Sequence, residues 1–369
     1  MSNSFCKFFN NGLVYNLGND TFTMSPCCYF KQNFYADVNL SSVEQYEKFK
    51  SVWSSADTET NCNTCNLQEK GNQVSYRQAA NDIVKKDTDK LVMLTIAVNK
   101  KCNLACPTCS AESSSFWYQE NIRNNVKQSN TIKITHQEDK QHIITEKFLK
   151  FFKEVDLSDI EYIKFGGGEP FMNDTHIKIL ELLPNKQNIT VQYTSNFSIM
   201  PSDNIFKVWE KFKLIKWMAS VDGTESQFEF LRWPYKWEKF SDFCKTAVLS
   251  VPTNVMFGVE HTINPLNAFY YDRFEQWFYQ EFGSNRLGDA SDLNLHFAEG
   301  ILGLSNTPIR LKNLIIEKYG ENHLISNFLQ TTNTPSYQLT EVVEYLNNLN
   351  SWRKVSWQQI FPEIQEYIS

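Results

Sequence analysis

From residue 91 onward, short runs rich in β-branched and aromatic residues alternate with stretches of helical periodicity, which restricts the possible folds more than any other feature of the chain. "LVMLTIAV" (91–98), "YIKF" (162–165), "ITVQYT" (189–194), "KWMASV" (216–221), "NVMFGVEHTI" (254–263) and "LNLHFA" (293–298) read as strands. Helix-like segments such as "TEKFLKFFKEV" (145–155) and "WEKFSDFCKTAVLS" (237–250) lie between them. Strands joined by crossover helices pair in parallel, so an α/β fold follows, and six repeats suit an open partial barrel. From about residue 301 the chain turns helical, with Leu339, Val342, Val343, Leu346 and Leu349 at helical spacing. Residues 1 to about 81 are turn-rich, and "NDIVKKDTDK" (81–90) reads as a charged linker. The expected division is 1–88, 89–300 and 301–369.

Charge and cysteine content narrow the function classes. The net charge of −6 argues against an extended nucleic-acid surface, which needs clustered Lys and Arg. The longest apolar stretch, at 91–98, is too short to cross a bilayer, and "MSNSFCKFFNNGLVYN" lacks the form of a secretory leader. The expectation is a cytoplasmic protein with reduced thiols. Nine cysteines, several in tight clusters, point to metal ligation rather than a disulfide framework.

"KCNLACPTCS" (101–110) places Cys102, Cys106 and Cys109 directly after the first strand of the alternating region, at the carboxyl end where such folds place their chemistry. One loop with this spacing can wrap a four-iron cluster and ligate three irons, leaving the fourth open to a substrate. Structural zinc favours closed four-ligand sites. Free cysteines also pack as small hydrophobes, and Cys244, on the apolar face of a predicted helix with Phe240 and Val248, reads as core. After the second strand comes "FGGGEPF", where Gly166, Gly167 and Gly168 allow close backbone approach and Glu169 supplies an acceptor for an ammonium.

CxxxCxxC followed by GGGE resembles the radical S-adenosylmethionine (SAM) superfamily over about residues 90–300. The resemblance implies a partial (βα)6 TIM-like barrel in which Cys102, Cys106 and Cys109 hold a 4Fe-4S cluster. The open iron would be chelated by SAM, whose reductive cleavage yields a 5'-deoxyadenosyl radical that abstracts a substrate hydrogen. Gly167, Gly168 and Glu169 would hold the methionine amino group. Ser195, Asn196, Ser220 and Asp222, at the ends of later strands, would serve ribose and carboxylate, and Arg232 could fork onto that carboxylate. Thr108 departs from the family's usual aromatic residue before the last cysteine. His261 and Glu299 also lie near strand ends and read as core or surface.

Five further cysteines precede the barrel region. "LVYNLGNDTFTMSPCC" reads as a hairpin around Gly18-Asn19-Asp20 ending at Cys27-Cys28, and "NCNTCNLQE" supplies Cys62 and Cys65. A hairpin, a following cysteine and a later CxxC resemble the twitch module, the half-sized relative of the SPASM domain that holds one auxiliary 4Fe-4S cluster. The run Cys62, Cys65, Glu69, Gly71, Ser75, Arg77, Asn81 resembles radical SAM proteins met in bacteriophage genomes. The resemblance implies Cys6, Cys27, Cys62 and Cys65 as ligands, with zinc as the competing metal. Adjacent residues of an extended segment point oppositely, so Cys27 and Cys28 should not both ligate.

The expected function is oxidative modification of a peptide or protein by a radical SAM enzyme fed by an electron donor such as flavodoxin or ferredoxin. A nucleotide, sugar or other small metabolite is the alternative substrate class. A non-catalytic iron-sulfur or zinc-binding protein is the alternative of another kind; it would have no need of Glu169, Asn196 or Asp222 around an open iron.

Overall fold

The computed structural model describes residues 6–17, 22–28, 30, 34–35, 39–53, 56–57, 61–70, 74–97, 99–135, 138–282, 293–331 and 335–368. Nine strands form one sheet: β1 (Gly12–Leu17), β2 (Phe22–Ser25), β3 (Phe34–Tyr35), β4 (Met93–Ala97), β5 (Tyr162–Gly166), β6 (Thr190–Ser195), β7 (Leu214–Ser220), β8 (Val255–Ile263) and β9 (Leu293–Phe297). Their order is β3-β2-β1-β4-β5-β6-β7-β8-β9. Every pairing from β1 through β4 to β9 is parallel, and β2 and β3 add antiparallel strands beyond β1. The chain is therefore an α/β protein with a parallel-dominated sheet.

A row of large side chains pins the register. Tyr15, Ile96, Phe165, Tyr193, Trp217 and Phe257 are successive cross-strand partners. Each is at most 2% exposed. Rings of Phe165 and Tyr193 lie 5.1 Å apart, and those of Trp217 and Phe257 lie 5.6 Å apart. A slip of one residue would turn the row onto the opposite face, so the pattern admits one alignment. Trp209, from helix Asp203–Trp209, packs on this row at 5.3 Å from Tyr193 and 5.6 Å from Trp217.

Alternation sends Lys164, Gln192, Thr194 and Glu260 to the other face. There Lys164 Nζ and Gln192 Nε2 donate to Glu260 Oε1 at 3.2 and 2.7 Å. Strands β5 and β8 are three positions apart, about 14 Å in a flat sheet. The sheet curls around this polar face to bring them together.

β1 and β2 pair as a hairpin, Val14 opposite Ser25 and Tyr15 opposite Met24. The expected turn at Gly18-Asn19-Asp20 lies outside the described residues. The sheet crosses the boundary expected near residue 89, because β1 runs along β4. The segment read as a linker is anchored by opposite charge. Lys85 and Lys86 donate backbone N–H groups to Glu161, and the Lys86 ammonium meets Asp159 at 3.0 Å. After β9 come helices Ile309–Tyr319, Leu324–Thr331 and Leu339–Arg353. The last of these buries Val342, Leu346 and Leu349. Among the described residues no helix is long and apolar enough to cross a membrane.

Candidate functional site

The cysteine triplet lies just past the end of β4, and its backbone is held from several directions. Cys102 N–H donates to Ser115 Oγ, which in turn donates to the Cys102 carbonyl. Ser114 Oγ donates to the Leu104 carbonyl at 2.6 Å and Trp117 Nε1 to that of Cys106 at 2.8 Å. Cys109 N–H closes a turn onto the Cys106 carbonyl at 2.8 Å. Cys106 is buried, Cys102 intermediate and Cys109 exposed. Burial, then the neighbouring Cys106, push the Cys102 thiol up to about 12, so ligation would exchange a proton for a metal. Among the described residues no three His, Cys, Asp or Glu side chains converge on a single metal ion. A four-iron cluster does not ask for such convergence, since each thiolate takes a different iron.

The glycine motif is bonded to the start of this loop. Gly168 N–H donates to the Asn99 carbonyl at 2.9 Å and Glu169 N–H to that of Lys101 at 2.6 Å. The approach is so close that a Cβ at Gly168 would sit 2.1 Å from the Lys101 oxygen, and Gly167 adopts φ +101°. Both motifs thus form one cradle. Glu169 is 1% exposed and accepts from Ser195 Oγ (3.0 Å), Asn196 N–H (2.8 Å) and Phe171 N–H (3.3 Å). Burial nevertheless pushes its carboxyl up to about 7. A cationic partner would reverse that cost.

The remaining expected contacts are placed as follows. Asn196 Nδ2 lies 3.9 Å from Cys102 Sγ and donates to Asn103 Oδ1 at 2.9 Å. Ser195 and Ser220 are buried at their strand ends. Asp222 is fully buried; its Oδ1 accepts from Thr262 N–H and its Oδ2 faces Arg232 Nη2 at 2.8 Å. Arg232 Nη1 lies 3.7 Å from Cys106 Sγ. Asp222 therefore orients a guanidinium toward a cysteine of the triplet, where positive charge favours thiolate. His261 is a core residue bonded to the Val221 carbonyl and stacked 3.8 Å from Phe274, and Glu299 is exposed.

In the N-terminal region, Cys6, Cys27, Cys62 and Cys65 line one small cavity with Phe8, Tyr76 and Arg77. Cys28 lines a different cavity of about 310 Å³, beside Gly166, Gly167 and Thr95. The motif around the CxxC is a bonded network: Arg77 forks onto Glu69 (3.1 and 2.6 Å), Ser75 Oγ donates to Glu69 at 2.5 Å, and Asn81 Oδ1 accepts from Lys7 N–H at 2.8 Å. Asn81 thereby ties the helix Tyr76–Ile83, which also carries Arg77, to the helix starting beside Cys6. Gly71 lies outside the described residues.

Sequence reading missed the polar face of the sheet. Glu260, 4% exposed, also accepts from Asn294 Nδ2 (3.4 Å) and contacts His296 Nε2. Opposing charges hold its carboxyl well below the usual range despite burial. The signal was present as polar residues two apart in otherwise apolar strands, Gln192 and Thr194 in β6 and Asn294 and His296 in β9. Asn99 was also missed; it is 1% exposed and, among the described residues, its Nδ2 has no partner, beside the glycine cradle.

Residues 96–268 match the family model of the Radical SAM superfamily. No curated protein matches the chain. Among solved structures, anSMEcpe with bound AdoMet and Cp18Cys peptide is 13% identical at a TM-score of 0.37, covering 64% of this chain and 61% of that one. SuiB of Streptococcus suis bound to precursor peptide SuiA is 11% identical at 0.33, covering 95% of this chain and 74% of that one. The chain spans less than two thirds of the first of these, and at such scores neither carries activity or substrate across.

Proposed function

With a Radical SAM superfamily domain over residues 96–268 as the premise, we infer that the chain is a radical SAM enzyme that oxidises a peptide or protein side chain. The observation that carries this reading is the joining of the cysteine loop to the glycine–carboxylate motif through Asn99 and Lys101. In it Cys102, Cys106 and Cys109 hold three irons of a 4Fe-4S cluster. Glu169, steadied by Ser195 and the Asn196 backbone, receives the methionine ammonium where Gly167 and Gly168 leave room. Asn196 and Ser220 face the nucleoside, and Asp222 keeps Arg232 beside the cluster. The cluster and SAM, held by these residues, would supply reductive radical chemistry that removes a hydrogen atom from substrate.

Oxidation must remove one further electron and one proton. A second cluster held by Cys6, Cys27, Cys62 and Cys65 in a twitch-like N-terminal module would accept the electron, and a basic side chain or water the proton. The curled sheet supports a partial (βα)6 barrel around the polar face, followed by a helical extension. Peptide as substrate class rests on the resemblance to twitch and SPASM proteins, and flavodoxin or ferredoxin would supply electrons.

The test is anaerobic reconstitution followed by dithionite and SAM, reading 5'-deoxyadenosine. Cys106→Ala is expected to lose about four irons per chain and all deoxyadenosine formation. Cleavage retained in that variant would refute the cluster assignment.

A further inference from the structure

The extension after β9 reaches back to the cysteine loop. Arg353, the last residue of helix Leu339–Arg353, is 5% exposed and donates from Nη2 to the Ala105 carbonyl at 2.8 Å, 248 residues away in sequence. Tyr345 donates its hydroxyl to the Pro107 carbonyl at 2.7 Å. Both carbonyls belong to the loop between Cys102 and Cys109. The Arg353 guanidinium also forks onto Glu120 (3.2 and 2.7 Å) and lies over Trp117, whose indole N–H holds the Cys106 carbonyl.

A fully buried Arg–Glu pair is weak evidence for stability, because desolvation cancels much of the attraction. Its position offers a better account. The guanidinium holds the carbonyl of Ala105, the residue next to Cys106, and covers the indole that holds the Cys106 carbonyl, so its charge lies beside the cysteine loop. Cluster potentials respond to nearby charge, hydrogen bonding and solvent exposure. Neither group touches the reacting atoms.

We propose that Arg353, Glu120 and Tyr345 are positioning residues of the radical cofactor site, clamping the cysteine loop and setting the cluster's potential through a pair of opposed charges. This rests on the radical SAM reading above. Loss of a positive charge near the cluster disfavours its extra electron and lowers the potential; loss of a negative charge raises it.

The experiment is an EPR-monitored redox titration of the full-length reconstituted protein, following the signal that changes when SAM is added. Arg353→Met is expected to lower the midpoint, Glu120→Gln to raise it, and the double variant to return near wild type. Arg353→Lys keeps the charge but loses the fork, and should hold the potential while losing iron severalfold faster to a chelator. Tyr345→Phe should show the same chelator sensitivity. A purely structural pair would shift both single variants in one direction or not at all, which overturns the proposal. Should Arg353→Met fail to take up iron, Arg353→Lys and Glu120→Gln decide: an unchanged midpoint in Glu120→Gln, or wild-type chelator resistance in Arg353→Lys, overturns it. A wild-type chain without a SAM-responsive signal defeats the enzyme reading and this one together. A wild-type signal with unshifted variants defeats this one alone.

Discussion

Glu169 lies where the chemistry of the proposed site is most sensitive to pH. Its carboxyl, pushed up to about 7 by burial, is mainly protonated below that value in the ligand-free protein. The neutral form suits the folded state, so this group's contribution to stability is full below the ordinary carboxylate range and is lost as pH rises through about 7. An ammonium ligand needs the ionised form, so SAM binding should release a proton below pH 7, and affinity should fall about tenfold per unit there. Titration calorimetry in buffers of different ionisation heat reads both. Glu169→Gln should weaken binding by about 1.5–3 kcal/mol at pH 8 and abolish the pH dependence. A pH dependence surviving in that variant would place the titrating group elsewhere. Gly168→Ala tests the cradle from the other side. Its Cβ would meet the Lys101 backbone oxygen at 2.1 Å, so about 1–3 kcal/mol of stability should be lost together with SAM binding. Urea melts indistinguishable from wild type would mean the two loops are not so closely bound. The close backbone approach at the glycine run was legible because only residues without a Cβ permit it, as Gly168 shows. Arg353 and Tyr345 were not, since no local pattern announces a partner more than two hundred residues distant.

At the scale of elements, the N-terminal hairpin and CxxC segment meet at a cavity lined by four thiols. On the proposed reading, replacing Cys62 and Cys65 by Ala should leave SAM cleavage largely intact and abolish product formation from the true substrate, because the first radical step would need only the cluster at Cys102, Cys106 and Cys109. Iron analysis and Mössbauer spectra of the double variant beside wild type check this. Wild type with only about four irons and zinc at these thiols would replace the auxiliary cluster with a structural zinc module. The motif's spacing now has a physical account, since Glu69, Ser75, Arg77 and Asn81 bond to one another or to the Cys6 helix. Strands β4 to β9 were legible within two residues at each end because apolar runs of that length and composition have few other uses. The Glu260 network escaped notice because its members lie on four strands, and only curvature brings them together.

For the molecule as a whole, the cross-strand row from Tyr15 to Phe257 couples the N-terminal strands to the rest of the sheet. Trp217, fully buried within this row, should cost about 3–5 kcal/mol when replaced by Ala, with loss of cooperative unfolding across the sheet. Near-UV circular dichroism against urea measures it, and a loss below about 1 kcal/mol would show that the row is not what aligns the strands. The continuity of β1 with β4 was not legible, because parallel pairing across some eighty residues leaves no periodic trace. The Arg353 and Tyr345 bonds have a consequence for synthesis. A chain emerging from its amino end exposes the cysteine loop early, yet the donors for Ala105 and Pro107 arrive 248 and 238 residues later. Until then the loop lacks two of its holding bonds, so the completed form of the cysteine loop belongs to the finished chain rather than to a nascent one.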